Sequence, residues 1–178
     1  MVAGEARGLR LDVPAGIVTR PTSDRVREAV FNALESLGAI RGARVIDAFA
    51  GSGALGIEAL SRGADHVTFV ELEAEARTTI DTNLASTGLA DRATVIAGDG
   101  ARHMSGSGFW DLMLLDPPYT YEHWDAVLPD IATGLAPDGV LVLESDHEMV
   151  MPPGLVAIRK KHYGGTVVTF ATPAGASA

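Results

Sequence analysis

The sequence predicts a single α/β domain, an open sandwich whose seven-stranded, mostly parallel sheet has helices on both faces and ends in an antiparallel hairpin. Three observations lead there. From residue 44 onward, short apolar runs of strand length alternate with longer segments of helical periodicity. The first of these runs opens into the glycine turn Gly51-Ser52-Gly53-Ala54-Leu55-Gly56. The last two runs are joined by Gly164-Gly165, a hairpin signal. A chain of 178 residues has room for one domain with one sizeable core.

Residues 1–21 are punctuated by Gly and Pro, and either pair as short strands or wrap the domain as an arm. Thr22 or Ser23 then caps a helix whose Val26, Ala29, Val30, Ala33, Leu34 and Leu37 share a face, with Gly38 as its stop. Arg44–Phe49 reads as a buried strand, followed by a helix over Ser52–Arg62 that ends at Gly63. His66–Glu71 is the next strand, and a helix over Glu73–Ser86 ends at Gly88. Ala93–Ala97, Asp111–Leu115 and Gly139–Glu144 have the length and apolar character of parallel-sheet strands. A helix over Glu122–Leu135 fits between the last two. Leu155–His162 and Thr166–Ala171 form the closing hairpin. The result is a Rossmann-like sheet in a domain spanning 22–172, with 173–178 a frayed tail.

Composition removes several chemistries. With no cysteine there is no disulfide framework, no cysteine zinc site, no iron–sulfur cluster and no thiolate nucleophile. The histidines at 66, 103, 123, 147 and 162 have no ligand spacing, so no metal is expected. The N-terminus has an acid and two arginines where a signal peptide needs an apolar run, and no stretch approaches the ~20 apolar residues of a membrane span. A cytoplasmic monomer is the expectation. Net charge is −9, which taken alone argues against a nucleic-acid partner. The charge is uneven, however: residues 1–45 carry seven arginines and a net of +2, and Arg159-Lys160-Lys161 forms a second basic cluster.

Gly51, Gly53 and Gly56 satisfy G-x-G-x-x-G, with Glu71 at the end of the next strand. Spacing alone fits a dinucleotide site, with glycines for close approach and the acid on a ribose hydroxyl. Asp47 at the end of the first strand argues for S-adenosylmethionine instead. A carboxylate there suits the cationic methionine end, directly or through water, and repels a pyrophosphate. Glu71 is then placed to accept both ribose hydroxyls, and Asp99, after the third strand, to accept from the adenine amine.

The fourth strand leads into Asp116-Pro117-Pro118-Tyr119 at the carboxyl edge of the sheet, where ligands of such sheets bind. Two prolines remove two backbone donors, so carbonyls in this turn face a ligand without competing N–H groups. Asp116 and the Pro117 carbonyl are positioned to hold both hydrogens of an exocyclic amine, while Tyr119 stacks on the extruded base. Ring methylation of cytosine through a cysteine adduct is excluded by composition. An amine is the target.

These residues resemble the RsmD-type methyltransferases of bacteria, which modify the N2 amine of a guanine in small-subunit ribosomal RNA. The resemblance is carried by A3-G-E-A-R-G8, T19-R-P-T-S-D-R-V-R-E-A-V-F-N-A-L34, D47-A-F-A-G-S-G-A-L-G-I-E-A-L-S-R-G-A64, L115-D-P-P-Y119 and Y163-G-G-T166. It implies a catalytic turn at Asp116, Pro117, Pro118 and Tyr119. With the motif reading it gives a cofactor site at Asp47, Phe49, Gly51, Ser52, Gly53, Glu71, Leu72, Asp99 and Gly100. Arg20, Arg25 and Arg27, near the entrance used by RNA or cofactor, join Lys160 and Lys161 as the expected RNA contacts. The implied partner is 16S ribosomal RNA in the small subunit, a pre-folded particle that offsets the acidity of the chain. The alternative is a DNA adenine-N6 methyltransferase, since the same turn serves adenine amines, although no segment is evident for a DNA-recognition domain.

Overall fold

The computed structural model describes residues 1–14, 24–104, 110–118, 120–121 and 123–176. In chain order these form α1 (Asp24–Ser36), β1 (Arg44–Asp47), α2 (Ala54–Ser61), β2 (His66–Glu71), α3 (Ala74–Thr87) and a 3-10 turn (Ala90–Arg92). There follow β3 (Ala93–Ala97), α4 (Gly100–Met104), β4 (Trp110–Leu115), α5 (Trp124–Gly134), β5 (Leu135–Ser145), β6 (Leu155–Tyr163) and β7 (Thr166–Pro173). The sheet order is β3-β2-β1-β4-β5-β7-β6. Strands β3, β2, β1, β4 and β5 run parallel, and β7 lies antiparallel between β5 and β6. This is the seven-stranded Rossmann-like sheet that the sequence predicts.

Alternation along the strands sorts the core into two layers. Val45, Phe69, Leu112, Leu114, Val142 and Phe170 face α1, α2 and α3, meeting Phe31, Leu34, Ile57, Leu60, Ile80 and Leu84. Ile46, Val70, Met113, Leu115, Leu141 and Leu143 face α4 and α5, meeting Met104, Val127, Leu128 and Ile131. Helices therefore cover both faces, and the polar ends of the strands are left to form the site.

Several boundaries differ from expectation for local reasons. Strand β1 ends at Asp47 rather than Phe49. The Ala48 and Ala50 N–H groups still donate to the Leu114 and Val70 carbonyls as the chain turns away. Helix α2 starts at Ala54 because Gly53 sits at φ 79° in the preceding turn, where its N–H donates to the Ala50 carbonyl. Strand β5 begins at Leu135, directly after α5, pairing Leu135 with Trp110 before a register shift restores the ladder at Leu112 and Val140. Helix α4 has no counterpart in the expected elements. The caps foreseen at Thr22 or Ser23 lie outside the described residues.

Residues 1–14 contain no strand and lie along α2 and α3. Glu58 accepts the Val2 and Ala3 N–H groups at 2.9 and 3.1 Å, and Ser61 receives the Glu5 N–H on its carbonyl and the Ala6 N–H on its hydroxyl. A β-carbon on Gly4 would overlap the Ser61 carbonyl, and its φ of 79° is itself a glycine conformation, so the close approach needs this residue. Glu58 is balanced by Arg62 at 2.7 Å, one turn along α2, with both side chains buried. Arg62 also reaches Glu35 and the Asn32 amide on α1 and lies over the Phe31 ring.

Candidate active site

The sheet order reverses between β1 and β4: the chain builds outward through β2 and β3, then returns to the other side of β1. The crevice beyond the carboxyl ends of two such strands is where open α/β sheets bind ligands. Asp47 ends β1 in register with Leu114, so Asp116 emerges two residues further along the neighbouring strand. The expected cofactor acid and the expected catalytic acid therefore share one crevice.

Asp47 is 1% exposed. Its Oδ2 accepts the Gly56 N–H at 2.9 Å from the first turn of α2. Its Oδ1 is buried with no hydrogen-bond partner among the described residues. Burial pushes the pKa of this carboxyl up to about 7; the Gly56 N–H opposes the shift, and the charges of Asp116 and Glu71 reinforce it. A half-ionised buried carboxylate with one open oxygen is matched by a positive ligand group.

The glycine loop is fixed from the β2 side. Gly51 donates its N–H to Glu71 Oε2 at 2.8 Å, and Glu73 donates to Oε1 at 2.9 Å. Each carboxylate oxygen keeps a further lone pair, so Glu71 can still receive two hydroxyls. Leu72, next to it, is an apolar side chain left 67% exposed. Asp99 serves as a helix cap here: its Oδ1 accepts the Ala101 N–H at 3.0 Å at the start of α4. Gly100 is pressed against the end of β1 so closely that a β-carbon would overlap the Ala48 carbonyl. That contact brings Asp99 to the same crevice as Asp47.

After β4, Asp116 is half-buried, Pro117 is buried and Pro118 is exposed. The Pro118 carbonyl accepts the Tyr121 N–H at 2.8 Å, closing the turn. Tyr121 meets the Phe49 ring edge-on at 5.3 Å and Trp124 at 5.1 Å. Its hydroxyl is made less acidic by burial first and then by the charge of Asp99. Tyr121 thus ties Phe49, ahead of the glycine loop, to the proline turn and to the start of α5, a role the sequence reading missed. The available signal was a second tyrosine two residues beyond Tyr119, itself outside the described residues.

The expected RNA contacts are more scattered. Arg20 lies outside the described residues, and Arg25 is exposed on α1. Arg27 does not present its charge to solvent as expected: it is 8% exposed and paired with Asp24 at 2.5 Å. It sits one helical turn before Val30 and Phe31, on the face α1 turns to the core. Lys160 and Lys161 are exposed on edge strand β6, where Lys160 pairs with Glu148 at 2.9 Å. The register links Leu115, Leu143, Thr169 and Lys160 in one row, three strand spacings or about 14 Å across. A separate groove of about 360 Å³ between α3 and β3, lined by Arg77, Asp81, Leu84 and Val95, lies at the outer edge strand rather than at the crevice.

The family model described as conserved hypothetical protein 95 matches residues 1–172. Ribosomal RNA small subunit methyltransferase D of Escherichia coli is 34% identical over 173 residues, covering 94% of this chain and 85% of that protein. The chain belongs to the RsmD family. Another relative is YlbH of Bacillus subtilis, assigned as an rRNA methyltransferase, at 38% identity over 180 residues and 96% of both chains. Among solved structures, the Escherichia coli chain yhhF, assigned as a methyltransferase, superposes with a TM-score of 0.85 at 32% identity, covering 97% of this chain and 96% of that one. The RsmD match takes in the N-terminal segment as well as the crevice, and so includes the parts that a generic Rossmann-like sheet lacks.

Proposed function

We propose that this chain transfers a methyl group from S-adenosylmethionine to the exocyclic N2 amine of a guanine in 16S ribosomal RNA, within an assembled or assembling small subunit. The observation that carries the cofactor is Asp47 Oδ1, a buried carboxylate oxygen without a partner among the described residues, at the strand end beneath the glycine loop. It fits the α-amino group of the methionine moiety. Glu71 would hold the ribose hydroxyls, Leu72 and Phe49 the faces of the adenine, and Asp99 its amine. Gly51, Ser52, Gly53 and Gly100 keep the backbone close enough for those contacts. The bound cofactor supplies a methyl carbon already activated by a positively charged sulfur.

The protein's part is positioning. An amine conjugated to a purine ring is a poor nucleophile because its lone pair is delocalised. Asp116 and the Pro117 carbonyl accept its two N–H groups and draw electron density onto nitrogen. Asp116 then holds the proton that nitrogen releases once methylated. Pro118 keeps the turn rigid, and Tyr119 sets the plane of the base. Arg25 and Lys161 offer exposed positive charge for RNA phosphates, Lys160 would exchange Glu148 for one, and Arg20 belongs to the same N-terminal block of the sequence. The RNA assignment is supported by the relatives named as ribosomal RNA methyltransferases, and the amine by the Asp116 turn.

The test is transfer of labelled methyl from S-adenosylmethionine to unmodified small subunits, their protein-free RNA and adenine-rich duplex DNA, followed by nucleoside digestion. The expected product is N2-methylguanosine. Label on adenine would keep the amine chemistry and overturn the partner.

A further inference from the structure

Two parts of the chain forty residues apart, the N-terminal segment at Asp12 and the glycine loop at Ser52, are held by one side chain. Asn83 lies in the third turn of α3 and is 1% exposed. Its Oδ1 accepts the Asp12 N–H at 2.8 Å. Its Nδ2 donates to the Asp12 carbonyl at 3.0 Å and to the Ser52 carbonyl at 2.9 Å. Only an amide head supplies two donors and an acceptor in one plane; a carboxylate lacks the donors and a hydroxyl has one. Asparagine is also a weak helix former in a helix interior, so its presence there answers to these contacts rather than to α3.

We infer that Asn83 is a positioning residue that couples docking of the N-terminal segment to cofactor binding at the glycine loop, each tightening the other. The inference rests on the S-adenosylmethionine reading of that loop. The loop has two fixed sides. On one, Glu71 orients the Gly51 N–H. On the other, α3 packs so tightly that a β-carbon on Gly53 would lie 3.3 Å from Ile80 Cγ1, and Asn83 holds the next carbonyl back. The Asn83 hold is the one shared with the segment. A second link runs in the same direction: Glu58 and Ser61 bind residues 2–6, and the helix they occupy gives the Gly56 N–H to Asp47. A segment that lifts away withdraws both of the Asp12 bonds that fix the Asn83 head, and the Ser52 carbonyl loses its restraint. Thermodynamic linkage makes the effect mutual: whatever the segment adds to cofactor affinity, cofactor adds to segment docking.

Hydrogen exchange on the full-length chain, with and without S-adenosylmethionine, tests this directly. Cofactor should slow exchange of the Asp12, Val2, Ala3 and Ala6 amides by about fivefold or more. Unchanged exchange at those amides, with cofactor demonstrably bound, overturns the inference and needs no variant. Asn83→Asp keeps the acceptor for the Asp12 N–H, removes both donors and sets a charge against two carbonyls. In the folded variant the Kd for S-adenosylmethionine should rise about tenfold, and cofactor should no longer protect the Asp12 amide. A purely structural asparagine would lower the melting temperature while leaving the Kd and the protection as in wild type, and that result also overturns the inference. Wild-type protein that binds no S-adenosylmethionine at all would sink the proposed function itself, through a separate readout.

Discussion

Because burial brings Asp47 to about pH 7, the residue changes charge within the working range of the cell. The unfolded chain would ionise this carboxyl near 3.8, so between those values the folded state binds more protons. Stability from this residue is therefore complete below about pH 4 and is lost as pH rises through 7. Binding of a cationic ligand group runs the other way, since it needs the ionised form. Affinity for S-adenosylmethionine should rise with pH up to about 7 and level off above it, by calorimetric titration. Asp47→Asn should weaken cofactor binding about 10–100-fold. In thermal melts at pH 5 and pH 8, the same variant should gain on wild type at the higher pH. Asp116 separates chemistry from binding. Asp116→Ala should cut methyl transfer by about 10²-fold or more, with the Kd for cofactor and the melting temperature close to wild type. A variant that transfers methyl at the wild-type rate would remove Asp116 from the reaction.

At the scale of elements, the strongest polar anchor lies away from the crevice, where Glu58 on α2 holds the first residues of the chain and Arg62 balances its charge. Glu58→Ala leaves the Arg62 guanidinium buried and short of its main partner, a loss of about 3 kcal/mol. Thermal melting should fall by roughly 6–12 °C, and protease should reach residues 1–12 before the rest of the domain. None of this was legible in the sequence, although the strand and helix alternation was. Glu58, Ser61 and Asn83 read as polar residues on helices, and their partners are backbone groups thirty to seventy positions away that carry no side-chain pattern. Helix α4 was missed because five residues are too few to show helical periodicity, and its start is set by Asp99 and by Gly100 packing on Ala48. Asp47, Glu71, Asp99 and Asp116 were legible because a parallel sheet brings every strand end to one edge. The burial of Arg27 was not, since the same periodic position serves equally for a core face or a charged one.

For the whole molecule, a net charge of −9 sets how RNA can be held. Phosphate contacts alone give affinity in proportion to the cations placed on them, and the exposed cations named above are few. A small-subunit particle supplies pre-folded RNA and protein surface, and so should be methylated faster than the same RNA stripped of protein, in parallel assays at matched salt. Equal or greater efficiency on naked RNA would end that account of the acidity. The order of the sheet also bears on how the chain is made. Strand β7 follows β6 in the chain yet lies inside it, hydrogen-bonded on one side to β5 and on the other to β6. A growing polypeptide that has completed β6 has nowhere to seat it, and β5 meanwhile presents a bare apolar edge. Synthesis broken off before Thr166 would thus yield an aggregating product rather than a partly working one, because the sheet that carries the crevice is complete only when β7 has threaded into place.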